Sequence, residues 1–180
     1  VNQDDSAVIR RVQAGDVEAF AVLVDRHHDR LVRYAAQLLG DRADAEDAVQ
    51  ETFVRAYRAL PRYQEREQFG AWLMRILVNR CRTAAARRKP AEPLDETMLV
   101  WNDGEDHAER MAVREELAHA MSQLPTDQRE AIALRFTEDL SFEEMATLTG
   151  AGVSALKMRV KRGCDRLRAL LEGGNRAGIR

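Results

Sequence analysis

Residues 140–162 read LSFEEMATLTGAGVSALKMRVKR, and this stretch decides the fold of the C-terminal half. Ser141 followed three residues later by Glu144 is a capping box, the signature of a helix N-terminus. The short helix that it opens carries Met145, Ala146 and Leu148 on its apolar side, and Gly150 and Gly152 break it. A longer helix runs from about Ser154 to Leu171, with Leu156, Val160 and Leu167 facing inward. Two helices separated by a glycine turn of this length form a helix-turn-helix. The second helix is basic: Lys157, Arg159, Lys161, Arg162, Arg166 and Arg168 stand against Asp165 alone. Such a helix reads bases mainly through its N-terminal half. Ser154, Lys157, Met158, Lys161 and Arg162 are therefore the candidate DNA contacts, with Arg159 beside them and Arg135 from the preceding helix.

Upstream, one helix carries Met111, Val113, Leu117 and Met121, and Pro125–Thr126 opens another that ends near Arg135. Before them, residues 90–109 hold Pro90, Pro93 and Gly104, seven acids and neither Lys nor Arg, the composition of a flexible acidic linker. The first 89 residues also read as helices. One follows Ser6 and ends at Gly15. Asp16 caps a second, whose apolar stripe is Phe20, Leu23, Val24, Leu31, Tyr34, Ala35 and Leu38, closed by Gly40. A third runs from near Asp44 to Leu60, where Pro61 stops it, and a fourth spans roughly 68–87 around Trp72, Leu73, Ile76 and Leu77. No segment alternates like a strand. The expectation is an all-α chain of two small helical domains, 1–89 and 110–180, joined by the linker 90–109.

Net charge is −2 with a pI near 6.1, so the sum of charges does not announce a nucleic-acid binder; their distribution does. Between Glu67 and Glu92 there is no acid, while Arg75, Arg80, Arg82, Arg87, Arg88 and Lys89 accompany Trp72 and Asn79. Arginine, asparagine and an aromatic on one helix offer phosphate neutralisation, base-edge hydrogen bonds and stacking together. Trp72 alone reads first as a core residue and second as a DNA contact. The opposite case is Asp44-Ala45-Glu46-Asp47, followed by Gln50, Glu51 and Phe53. Acids in a first turn suit the helix dipole, but the polar and partly aromatic continuation suits a protein partner.

Catalysis has little support. There is no glycine-rich phosphate loop and no nucleophile motif. His27 and His28 are adjacent in a charged run and point different ways on a helix, so they read as solvated rather than as a metal pair. Cys81 and Cys164 are far apart, which excludes a disulfide framework and a four-thiolate zinc site. Neither a cofactor nor a metal is expected. No apolar run approaches the roughly 18 residues of a membrane span, and the N-terminus lacks the order of a signal peptide, so a cytoplasmic location without membrane insertion is expected.

Together these blocks resemble a known family. Asp44 to Phe53 (DAEDAVQETF) and Phe69 to Asn79 (FGAWLMRILVN) resemble the second conserved region of extracytoplasmic-function (ECF) sigma factors. Leu124 to Arg129 (LPTDQR), Leu140 to Ala146 (LSFEEMA) and Val153 to Arg162 (VSALKMRVKR) resemble their fourth region. The resemblance implies that Asp44, Asp47, Gln50, Glu51 and Phe53 bind the clamp helices of core RNA polymerase. It implies that the loop from Tyr63 to Gln68, with Trp72, Arg75, Asn79, Arg80 and Arg82, holds the melted −10 element of promoter DNA, and that the last helix reads the −35 element. The resemblance also implies that the linker threads toward the active-site and RNA-exit channel, which its acidity fits. Ala155 and Met158 stand where the family often has Ser or Thr, Ala71 where Thr is common, and Gly163-Cys164 where Ala-Arg is typical.

Three other readings compete. A helix-turn-helix repressor or activator with a sensor domain leaves the block from Asp44 to Asn79 unexplained; a polymerase adaptor that does not read DNA leaves the basic last helix unexplained; a DNA-processing enzyme lacks a catalytic constellation. With no terminal extension to restrain it internally, the chain is expected to have a separate anti-sigma partner.

Overall fold

The computed structural model describes residues 3–64, 68–87 and 107–177, and every regular element among them is helical. The linker expected over 90–109 lies outside the described residues as far as residue 106, as do positions 65–67 of the Tyr63–Gln68 loop.

The first unit contains α1 (Gln3–Gln13), α2 (Phe20–Leu39), α3 (Arg42–Ala59) and α4 (Phe69–Arg87). Gly15 ends α1's turn with a φ of 103°, a value that an L side chain rarely adopts. Asp16 then accepts from the Ala19 N–H at 3.2 Å, capping a short 3₁₀ turn that leads into α2. Asp41 caps α3 by accepting from the Asp44 N–H at 2.8 Å, and Pro61 lies in the 3₁₀ turn after α3. Leu23, Leu31, Tyr34 and Leu38 of α2 pack with Val49 and Ala56 of α3 and with Leu73, Met74, Leu77 and Cys81 of α4, all of them buried. Burying each large side chain contributes about 1.5–3 kcal/mol, so this three-helix seam is the principal source of stability for the unit.

His27 corrects the expectation of a solvated histidine. It falls four residues after Leu23 and four before Leu31, inside the apolar stripe rather than beside it. Its Nε2 lies 2.8 Å from the Asp5 carboxylate, and Arg26 reaches the other Asp5 oxygen at 3.0 Å. The buried pair fastens α1 to α2, and the Phe69 ring covers the imidazole with centroids 5.6 Å apart.

The second unit contains α5 (His107–Ser122), α6 (Thr126–Ile132), α7 (Phe142–Thr149) and α8 (Val153–Ala177). The helix expected to run from Pro125 to near Arg135 is instead interrupted: α6 passes into a π-helical turn over Ala133–Thr137. A π turn inserts one residue per turn and re-aims the side chains beyond it; here it places Ala133 and Leu134 in the core and leaves Phe136 exposed. The expected capping box is present: Glu144 N–H donates to Ser141 Oγ at 3.2 Å, and the Ser141 N–H donates back to the Glu144 carboxylate at 2.8 Å. Gly150, with a φ of 72°, closes α7. Leu156 and Val160 of α8 are buried as expected. Gly163 lies tight against α6: a Cβ there would stand 2.6 Å from Ile132 Cδ1, which accounts for a glycine in mid-helix.

The two units are docked. α6 and the π turn pack on α2, α7 packs on α4, and the buried apolar residues of both units form one contiguous cluster.

The Ser141 backbone N–H beside Glu144 holds its carboxyl below the ordinary carboxylate range, helped by the Ser141 hydroxyl. A lowered carboxyl contributes stability that is present above its unfolded pKa and lost as pH falls through the folded one. Ser141→Ala is expected to cost about 1 kcal/mol in urea unfolding at neutral pH. The variant keeps the backbone N–H that holds Glu144, so the gap should narrow in acid only by the share that the Ser141 hydroxyl lends the carboxylate; unchanged stability at neutral pH would overturn the cap.

Candidate nucleic-acid interface

The acid-free segment forms α4, and its side chains divide between faces. Trp72, Arg75, Asn79 and Arg82 succeed one another at helical spacing along one side. Trp72 is half-buried, its ring 4.7 Å from Tyr63 and 5.6 Å from Phe69, so it serves the core and the surface at once. Asn79 is exposed. Arg80 is one residue off this stripe and turns toward α3, where it pairs with Glu51. Arg82, at the C-terminal end of the stripe, is held by the second unit: its Nε and Nη2 donate to the two Glu130 oxygens at 2.7 and 2.8 Å, and Nη1 donates to the Thr149 carbonyl at 3.0 Å.

The acidic block lies on α3. Asp47 and Gln50 are exposed, Asp44 is half-buried, and Glu51 is shared between Arg55, at 2.7 Å, and Arg80. Phe53 corrects its expected place on a contact surface: it is only 6% exposed and packs edge-on to Phe20 at 6.3 Å. It comes four residues after Val49 and belongs to the core stripe. The exposed apolar residue of this face is Val54, with Tyr57 beyond it. Sequence reading passes over both; the signal is an apolar pair three residues apart on an otherwise polar side.

On α8, Ser154, Lys157, Met158, Lys161 and Arg162 are exposed together, opposite Leu156 and Val160. Arg159 departs from the group; it lies on the inner edge, with Nε 3.3 Å from the Asp127 carboxylate of α6. Arg135 is half-buried and donates to the Leu140 carbonyl at 2.9 Å, a support for the turn before α7 rather than part of the exposed face. Phe142, which sequence reading also passes over, is approached by both Arg135, at 5.7 Å, and Lys157, at 5.6 Å from its ring centroid. Cation–π attraction at this range restrains Lys157 at the mouth of the helix-turn-helix. No group of three or more His, Cys, Asp or Glu side chains suited to a metal occurs among the described residues, and no described helix is long and apolar enough to cross a membrane.

Residues 23–90 match Sigma-70 region 2, and residues 114–167 match Sigma-70, region 4. Over 174 residues the chain is 32% identical to the RNA polymerase sigma-H factor of Pseudomonas aeruginosa, covering 89% of this chain and 90% of that protein. It is 33% identical to the ECF RNA polymerase sigma-E factor of Escherichia coli, over 88% of this chain and 89% of that protein. Among solved structures it resembles CnrH in complex with the cytosolic domain of CnrY, with 29% identity, a TM-score of 0.68, and 93% of this chain and 96% of that chain covered. It also resembles the sigma factor RpoE of Bartonella quintana in complex with the anti-sigma factor NepR, with 25% identity, a TM-score of 0.70, and 85% of this chain and 96% of that chain covered. The chain belongs to the ECF group of bacterial RNA polymerase sigma factors.

Burial pushes the Cys81 thiol up to about 12, with the Glu130 carboxylate adding to the effect. The thiolate is the reactive form, so Cys81 should resist disulfide reagents at pH 8 in the folded protein while the partly exposed Cys164 reacts. Titration with Ellman's reagent is expected to count one thiol in native protein and two in denaturant; two rapidly reacting native thiols would contradict the buried site.

Proposed function

We propose that this chain directs core RNA polymerase to promoters by dividing the work between its two units. Residues 1–89 dock on polymerase and hold the melted −10 element; residues 110–180 bind the −35 element. The observation that carries this reading is the presence, on one chain, of an exposed acidic-apolar face on α3, an acid-free basic face on α4 and a basic recognition helix in α8. A repressor or activator needs only the last of these.

In this reading Asp47, Gln50 and Val54 meet the polymerase, while Asp44 and Glu51 sit at the margin of the contact and Phe53 supports it from beneath. Trp72, Arg75 and Asn79 receive the opened strand: the aromatic stacks, the guanidinium meets phosphate and the amide reads a base edge. Arg80 and Arg82 flank that surface. Ser154, Lys157, Met158, Lys161 and Arg162 enter the −35 major groove, with Arg159 and Arg135 bracing the helix. An anti-sigma protein is the expected partner of the free chain, by analogy with the Bartonella quintana complex. The chemistry is binding and strand separation rather than catalysis, and the site of action is the cytoplasm.

Two experiments test the assignment. Asp47→Lys is expected to weaken co-purification with core polymerase at least tenfold, a loss of about 1.4 kcal/mol, without altering thermal unfolding; wild-type affinity would remove α3 as the docking face. Arginine makes bidentate contacts to guanine worth about 1–3 kcal/mol of discrimination, whereas a phosphate contact weakens all sequences alike. Arg162→Ala should therefore flatten the ranking of a −35 substitution series in polymerase-dependent transcription. Arg168→Ala should preserve the ranking and lower the salt slope by about one unit. Identical behaviour of the two variants would leave α8 a purely electrostatic role.

A further inference from the structure

The exposed face of α8 sets a large apolar side chain among charges. Met158 is 46% exposed, with Lys157 before it and Lys161 and Arg162 three and four residues after it, all exposed. Ser154 and Ala155, exposed one turn earlier, are too short to screen it. The two flanking lysines lean aside. Lys157 Nζ lies 5.6 Å from the Phe142 ring centroid of α7, and Lys161 Nζ lies 3.4 Å from the Asp165 carboxylate one turn on. Leu156 and Val160 are buried on the opposite side of the helix, so core packing does not account for Met158. Lysine is depleted at the centre of protein–protein contacts, and an apolar protein partner would have to desolvate all three cations. A polyanion needs them. The ligand suited to this face therefore carries phosphates around an apolar group. In the major groove a standard base pair displays a single apolar group, the C5 methyl of thymine.

We propose that Met158 is a specificity residue of the −35 contact and reads a thymine through its C5 methyl. The inference rests on α8 entering the −35 major groove. That groove is about 12 Å wide and admits a helix about 10–12 Å across with its side chains, so the leading face meets base edges. Met158 lies in the N-terminal half of α8, the part that such a helix presents to bases. Its unbranched, polarisable thioether adapts to the shape of a methyl group. Contact removes methyl and thioether from water together, and burying one methyl-sized group is worth about fourfold in affinity. Cytosine in the same place presents a C5 hydrogen and an amino donor, and Met158 offers that donor no oxygen. The contact thus favours thymine over cytosine. Because it carries no charge, its size does not change with salt.

The test isolates one methyl group. Polymerase holoenzyme is assembled with the full chain, and templates that it binds are selected from a promoter library randomised over the −35 region. The recovered sequence is synthesised with thymine, and again with deoxyuridine at every −35 thymine of both strands, which deletes the methyl and keeps the base pair. Binding of wild-type holoenzyme is expected to fall about fourfold on the uracil template, equally at two salt concentrations. Met158→Ala, a change at an exposed position to the best helix former, keeps the fold. It should bind the thymine template about fourfold more weakly than wild type and show no difference between the two templates. Replacing one thymine at a time then locates the base. A selected sequence without thymine, a wild type indifferent to the methyl, or a loss on uracil that Met158→Ala shows in full overturns the role of Met158. In those cases a surviving −35 preference leaves the reading of α8 intact. A library from which no −35 preference emerges overturns that reading itself, and the role of Met158 with it.

Discussion

The packing of the first unit is arranged around α2, which also receives α6 and the π turn of the second. Its 20 residues extend about 30 Å at 1.5 Å per residue, enough to carry a full apolar stripe on one side and still offer polar groups on another. The stripe takes α3 and α4, and His27 within it takes α1 through Asp5. Beyond the stripe, Arg30, Gln37 and the Leu38 carbonyl receive the second unit. This arrangement sets the geometry of both candidate surfaces of the first unit. With α3 and α4 held against α2 by Val49, Leu73 and Leu77, the remaining sides of α3 and α4 are what the protein presents, acidic-apolar on one and basic on the other.

The same packing explains why the charges are not simply spread over solvent. Arg80 and Glu51 bridge α4 to α3, Arg82 and Glu130 bridge α4 to α6, and Arg159 and Asp127 bridge α8 to α6. Each basic helix thus commits part of its charge to holding its neighbour and leaves a narrower set for a ligand. Among the described positions of α4 the exposed member of the stripe is Asn79, beside the half-buried Trp72; on α8 the exposed set is Lys157, Met158, Lys161 and Arg162. This selection separates residues that define the surface from residues that position it.

Much of this was legible in sequence because it depends on local chemistry. The capping box at Ser141 and Glu144, the turns at Gly15, Gly40 and Gly150, and the cap at Asp16 are decided within a few residues. Helical period places Leu23, Leu31, Leu156 and Val160 inside, where they are, while Phe20, Val24 and Leu167 of the same expected faces are half-buried. The same rule, applied to His27 and Phe53, places both inside; residue type had assigned His27 to solvent and Phe53 to a partner, and the stripe overrode type in each case.

The sequence by itself therefore determined the helices, the helix-turn-helix and the separation of acidic from basic segments, because capping, period and charge run are properties of neighbouring residues. Tertiary structure alone decided which arginines are committed, because Glu130 and Glu138 lie 48 and 108 residues from the guanidiniums they hold. No local pattern encodes such a pairing. It exists only when the π turn after α6 aims Leu134 into the shared core and the docked faces bury both carboxylates against α2 and α4. A buried charge must find a partner wherever the fold brings one, and the fold brought it from the other unit.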